Sequence, residues 1–169
     1  MDHSYSASLD NVDLRPLKKD DIEFLRVWRN NPENTKFLSQ IPFITPEMQE
    51  NWFISYLSNK NEIIFAIVEN QKLNRIVGSF SLYNFGKDDV EFGKILIGDP
   101  EAHGRNIGFN TLTAMKKIVF NDLNRKTIRL HVFRDNVPAV KIYLKAGFEI
   151  IKEYTVKNGL VEYEMIFSE

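Results

Sequence analysis

The chain is 169 residues long, 43% apolar and 27% charged, which suits one domain with a hydrophobic core and leaves little room for two. A formal net charge of −1 shows none of the basic surplus that marks nucleic-acid binders or polybasic membrane attachment, and no apolar run is long enough for a membrane-spanning helix. Cysteine is absent, so disulfides, thiolate metal sites and a covalent acyl-cysteine intermediate are excluded.

Met1 to Asn11 is polar and lacks the apolar stretch of a secretory signal. Residues 1–11 therefore read as a loose tail and 12–169 as a single domain, with the cytoplasm as the default compartment. Leu14–Leu17 alternates as a first strand. Asp20 and Asp21 can cap a helix that carries Ile22, Leu25, Val27 and Trp28 on one face and stops near Asn30-Asn31-Pro32. Thr45-Pro46-Glu47 opens a second helix with Met48, Trp52, Ile54, Tyr56 and Leu57. Ile63–Glu69, Ile76–Tyr83 and Val90–Ile97, separated by turn clusters, read as an antiparallel meander.

The texture then changes. Asp99 to Asn106 is a loop of small and polar residues, and from Ile107 to Leu123 apolar residues recur at helical spacing. Thr127–Phe133 is a strand. Asp135-Asn136 caps a helix that ends at Ala146-Gly147, and Phe148–Thr155 and Val161–Phe167 pair around Lys157-Asn158-Gly159. This order gives an α/β fold with a mixed sheet and helices on both faces. Thirteen Phe imply a well-filled core or an aromatic-lined pocket, between which composition does not choose.

The strand, loop and helix over residues 90–123 place unpaired amides and a partial positive charge at a helix start, where a phosphate gains hydrogen bonds and dipole energy. Gly104 and Gly108 permit close backbone approach, and Arg105 can add a charge. The loop has neither the Gly-Lys-Ser/Thr of a Walker loop nor the glycine spacing of a dinucleotide fold. His3, His103 and His131 show no metal-ligand spacing, so no metal is expected.

Two segments together carry a resemblance. His103-Gly104-Arg105-Asn106-Ile107-Gly108, with Asn136…Ala139…Tyr143…Gly147-Phe148, resembles the GNAT superfamily of acetyltransferases, from about Leu14 to Phe167. Its pyrophosphate loop reads Gln/Arg-x-x-Gly-x-Gly/Ala, from which His103 and Asn106 depart; Asn tolerates left-handed backbone better than most residues. The resemblance implies a GNAT-type fold, a twisted mixed sheet of about six or seven strands. It also implies acetyl-CoA as cosubstrate and a small-molecule amine as acceptor. A homodimer is allowed and not required.

A thioester is already activated, so an amine can attack it directly in a ternary complex. The amine must lose a proton, and the departing thiolate benefits from an acid. By the resemblance Tyr143 is that acid. Glu91, early in the strand beside the thioester, is the base, unless an ordered water does that work. The backbone of Ile95, Leu96 and Ile97 pairs with pantetheine amides on a strand that splays from its neighbour. His103, Gly104, Arg105, Asn106, Ile107 and Gly108 take the pyrophosphate. Asn136 either contacts the coenzyme arm, caps its helix, or does both. His131 reads as an imidazole on the sheet surface.

Trp28-Arg29-Asn30 resembles the members that acetylate nucleotide-linked amino sugars. Arg29 could pair with a diphosphate, and Trp28 could stack on a base or sugar; a core Trp28 and a solvated Arg29 are the alternative. Glu91-Phe92 and the loop also resemble polyamine and ribosomal-protein acetyltransferases. A non-catalytic acyl-CoA sensor is a further reading, against which Tyr143 argues.

Overall fold

A computed structural model describes residues 3–37, 42–156 and 159–169. Its centre is a sheet of eight strands in the order β1-β2-β3-β4-β5-β6-β8-β7. In chain order these are β1 Ala7–Leu9, β2 Val12–Pro16, β3 Glu62–Glu69, β4 Arg75–Tyr83, β5 Asp89–Ile97, β6 Thr127–Phe133, β7 Glu149–Thr155 and β8 Val161–Ser168. Neighbours run antiparallel except β5 and β6, which are parallel. The helices are α1 Ile22–Asn30, α2 Pro32–Thr35, α3 Pro46–Ser58, α4 Ile107–Lys117 and α5 Val137–Lys145.

The extra strand comes from residues expected to be a loose tail. Ala7–Leu9 pairs with β2 around Asp10, whose φ is 50°. Asn11 fixes this hairpin to α4: its amide donates to the Arg105 carbonyl (3.0 Å), and its oxygen accepts from Asn110 Nδ2 (2.8 Å). The Lys157-Asn158 part of the expected β7–β8 turn lies outside the described residues. The helix expected through Leu123 leaves α geometry after Lys117 and ends in a wider turn over Ile118–Asp122.

Strands β3 and β4 are buried on both faces. Against α4 and α5 the sheet packs Phe65, Phe80, Phe92, Leu112, Met115, Ile118, Ile128 and Phe148, each at most 2% exposed; such side chains contribute roughly 1.5–3 kcal/mol each. Phe65 stacks on Phe80 at 4.9 Å, and Phe80 meets Phe92 at 5.4 Å, so much of the phenylalanine content fills this core. The other face is closed by Leu17, Ile22, Leu25, Trp28, Phe53 and Tyr56 over Ile64, Ala66, Ile76 and Leu96.

The buried face of α1 differs from expectation by one residue. Val27 is 51% exposed, because Ile22, Leu25 and Trp28 already complete the buried stripe of α1. In α3 the buried stripe is Gln49, Phe53 and Tyr56, while Met48, Trp52, Ile54 and Leu57 stay exposed. Asp21 does not cap α1 through its side chain; its carboxylate turns back to the Lys18 N–H (2.8 Å) and takes a bidentate pair from Arg15.

Candidate active site

The site begins with a defect in β5. Ser79 pairs with Leu96 and Ser81 with Gly93, so Phe80 opposes both Lys94 and Ile95. The extra residue sits at Lys94, whose φ is 54°, and such a bulge bends its strand. Gly93 fits beneath Tyr83, where a Cβ would lie 2.5 Å from the phenol oxygen. On its other side β5 pairs with β6 only at Asp89, Val90 and Glu91. Past Glu91 the two strands part, and the edge of β5 carrying Ile95, Leu96 and Ile97 has no strand partner there among the described residues.

At the end of β5, Asp99 accepts from the Glu101 N–H (3.0 Å) and from Arg75 Nε (2.8 Å). The Arg75 hydrogen bond holds the Asp99 carboxyl below the usual carboxylate range. This fastens a short turn, Pro100–Ala102, from which the chain passes through Gly104 (φ 74°) and Asn106 (φ 62°) into α4. Asn106 thus occupies left-handed backbone at the position where the family pattern has glycine. Among the described residues the N–H groups of Gly104, Asn106, Ile107, Gly108 and Phe109 have no protein acceptor. A Cβ on Gly104 would meet only open space, and one on Gly108 would rest 3.5 Å from Ile142. The neighbouring side chains turn away: His103 Nε2 is 3.5 Å from the Ile97 carbonyl, and Arg105 Nε donates to the Glu101 carbonyl (2.7 Å). The loop therefore offers backbone amides, which suits a diphosphate at a helix start.

Tyr143 projects from α5 onto Phe92, the first β5 residue past the last β5–β6 pair, with ring centroids 6.3 Å apart and planes at 82°. It is 7% exposed, and its hydroxyl has no hydrogen-bond partner among the described residues. Burial pushes the phenol above its ordinary range, so it stays protonated at neutral pH. Asn136 caps α5, accepting from the Ala139 N–H (3.4 Å).

Glu91 lies in a cluster that the sequence did not reveal. Its Oε1 accepts from Tyr83 Oη (2.9 Å) and its Oε2 from Asn84 Nδ2 (2.8 Å). His131, expected as an imidazole on the sheet surface, stands with Nε2 4.0 Å from Glu91 Oε1, and its Nδ1 shares a hydrogen bond with Tyr154 Oη. Hairpin pairing of Tyr83 with Glu91 across β4 and β5 is the one signal from which Tyr83 could have been found.

On the same sheet face, α1 and α3 bound a cavity of about 390 Å³ lined by Leu25, Arg29, Ile44, Trp52, Ser79 and Ser81 among others. Of the three residues expected to meet the acceptor, Arg29 alone lines it. The Arg29 guanidinium forms no hydrogen bond or ion pair among the described residues, and burial lowers its pKa without removing the charge. Trp28 is 8% exposed and lies over Gly98, where a Cβ would sit 2.1 Å from its ring; no face is left for stacking on a ligand. Asn30 grips the Ile44 backbone, donating to its carbonyl (2.9 Å) and accepting from its N–H (2.8 Å), so it shapes the cavity wall. The cavity's one carboxylate among the described residues, Glu62, is paired with Lys94 at 2.6 Å.

A parallel strand pair thus parts beside a run of free helix-start amides, with a buried phenol at the fork. Residues 11–149 match the acetyltransferase (GNAT) domain. The chain belongs to this family of N-acetyltransferases, which draw the acetyl group from acetyl-CoA. It is 28% identical over 153 residues to a Methanocaldococcus jannaschii protein, covering 90% of this chain and 31% of that one; the chain thus spans about a third of that relative's length. It is 26% identical over 137 residues to acetyltransferase PseH of Campylobacter jejuni, covering 81% of this chain and 82% of that protein. The structure of Vibrio cholerae spermidine N-acetyltransferase in complex with CoA and spermine superposes with a TM-score of 0.82 at 20% identity, over 94% of this chain and 95% of that one.

Proposed function

We propose that the chain acetylates a primary amine on an anionic small molecule, a nucleotide-linked amino sugar, by direct attack in a ternary complex with acetyl-CoA. The observation that carries the acceptor reading is the charge of the cavity: among the described residues Arg29 is an unpaired, half-buried cation, and the one lining carboxylate is neutralised by Lys94. An isolated buried cation calls for an anion, and a diphosphate supplies one that a guanidinium can hold in bidentate fashion. A polyamine carries several positive charges and would meet repulsion at Arg29. The apolar wall of Leu25, Ile44 and Trp52 with Ser79 and Ser81 suits the mixed surface of a sugar.

In this reading the amides at the start of α4 hold the coenzyme diphosphate, and the unpaired edge of Ile95, Leu96 and Ile97 receives the pantetheine arm. Glu91 accepts the proton that the amine gives up. Tyr143 donates its phenolic hydrogen bond to the sulfur as thiolate character develops. The same β5 edge can offer a backbone N–H to the carbonyl oxygen as it gains charge. The chemistry uses no metal.

The test compares kcat/KM for a nucleotide-linked amino sugar and for spermidine in the wild type and in Arg29→Glu. Losing a charge-assisted contact is worth roughly 10–100-fold. The wild type is expected to prefer the anionic acceptor, and Arg29→Glu to lose that factor on it alone. Preference for spermidine, with Arg29→Glu unchanged on the sugar nucleotide, refutes the acceptor assignment.

A further inference from the structure

Glu91 is badly placed to discharge a proton by itself. Both of its oxygens already accept hydrogen bonds, and its side chain is 15% exposed. Each turnover nevertheless leaves one proton behind, because an ammonium becomes an amide. That proton must reach bulk water before the carboxylate can act again.

We propose that His131 and Tyr154 form the exit route for this proton, carrying it from Glu91 to solvent. The inference rests on the assignment of Glu91 as the base. Glu91 pairs with Arg129 across the β5–β6 ladder, and His131 follows two residues later on the same face of β6. Its Nε2 stands 4.0 Å from Glu91 Oε1, a gap that one side-chain rotation closes or one water spans. Its side chain is 34% exposed, more than twice as open as that of Glu91. The opposite ring nitrogen, Nδ1, is hydrogen-bonded to Tyr154 Oη from β7.

The proton balance is simple. An ammonium gives up two protons on becoming an amide: one ends on the departing sulfur, which leaves as coenzyme A thiol, and the other moves to Glu91, from which the carboxylic acid passes a proton to Nε2. The imidazolium sheds its Nδ1 proton along the Tyr154 hydrogen bond to water. Imidazole suits the step because it accepts and donates on different atoms near neutral pH.

The groups facing His131 favour the route. Tyr83 and Asn84 from β4 and its turn hold Glu91 in place. Glu164 is the partner of His131 on β8, and Glu162 the partner of Tyr154. Burial first, then those two carboxylates and Glu91, push the Tyr154 phenol up, so it stays a neutral hydroxyl. The cations nearby are Arg129, paired with Asp89 at 2.5 Å, and Lys152, 5.5 Å over the Tyr154 ring.

The experiment measures kcat for wild type, Glu91→Gln, His131→Ala and His131→Gln at saturating substrates, in dilute non-transferring buffer and with added imidazole. Glu91→Gln is expected to lose about 10²–10⁴-fold. Both His131 variants are expected to lose about tenfold or more in kcat, with acetyl-CoA KM and melting temperature little changed, and added imidazole restores His131→Ala. An unchanged kcat in the His131 variants, or a loss that imidazole does not restore, beside an impaired Glu91→Gln overturns the relay alone. An unimpaired Glu91→Gln overturns the base assignment and the relay with it.

Discussion

Replacing Tyr143 with Phe separates catalysis from packing at one residue. The ring rests edge-on against Phe92 at 6.3 Å and against Phe148 at 6.0 Å, and both contacts survive in Tyr143→Phe. The hydroxyl has no protein partner among the described residues, so its removal breaks no protein hydrogen bond. The melting temperature should therefore change little. The rate should fall by about 10² or more, the usual loss for a positioned acid, which is about 2.7 kcal/mol of transition-state stabilisation. The loss belongs in kcat and kcat/KM together, because the bond to sulfur strengthens only as charge develops. The same burial has a pH signature. Its folded-state pKa lies above the unfolded value of about 10, so the associated stability is present below about pH 10 and is lost as pH rises beyond it; Tyr143→Phe should melt less steeply with rising alkaline pH. The assay is single-turnover release of coenzyme A thiol beside calorimetric melting. Retention of most of the wild-type rate while chemistry limits turnover refutes the acid role.

Two further substitutions test the frame around the reaction. Gly108→Trp should abolish acetyl-CoA binding in titration calorimetry by filling the space before the α4 amides, whereas Gly108→Ala should bind normally, since its Cβ meets only Ile142 at 3.5 Å; normal binding by the Trp variant contradicts the loop assignment. Gly98→Ala should lower stability by about 1–3 kcal/mol through overpacking, because its Cβ would fall 2.1 Å from the Trp28 ring; unaltered melting would mean that Trp28 is not held there.

The order of the longer strands and helices was legible because each carried a period or a cap, whereas the single turn of α2, Pro32–Thr35, was not; the α5 motif placed Tyr143 and Asn136 on one helix. The β1 strand was not, since Ala7-Ser8-Leu9 is a short edge with partial burial, and what fixes it is Asn11 reaching residues almost a hundred positions away. The Lys94 bulge depends on cross-strand register, which no local pattern records. Trp28-Arg29-Asn30 was read as one recognition patch, yet consecutive helical residues point about 100° apart. Trp28 enters the core, Arg29 the cavity, and Asn30 the neighbouring loop. In α3, Met48 and Trp52 border a cavity rather than the core, a distinction that composition does not make.

The most direct test follows the acetyl group. The protein is incubated with acetyl-CoA carrying a labelled acetyl carbon, first alone and then with an acceptor amine, and both protein and small molecules are weighed by mass spectrometry. Direct transfer predicts unmodified protein throughout, and one N-acetylated amine for each coenzyme A released once acceptor is present. A labelled acyl-protein that forms without acceptor and passes its label to the amine, or thiol release with no N-acetyl product, contradicts it.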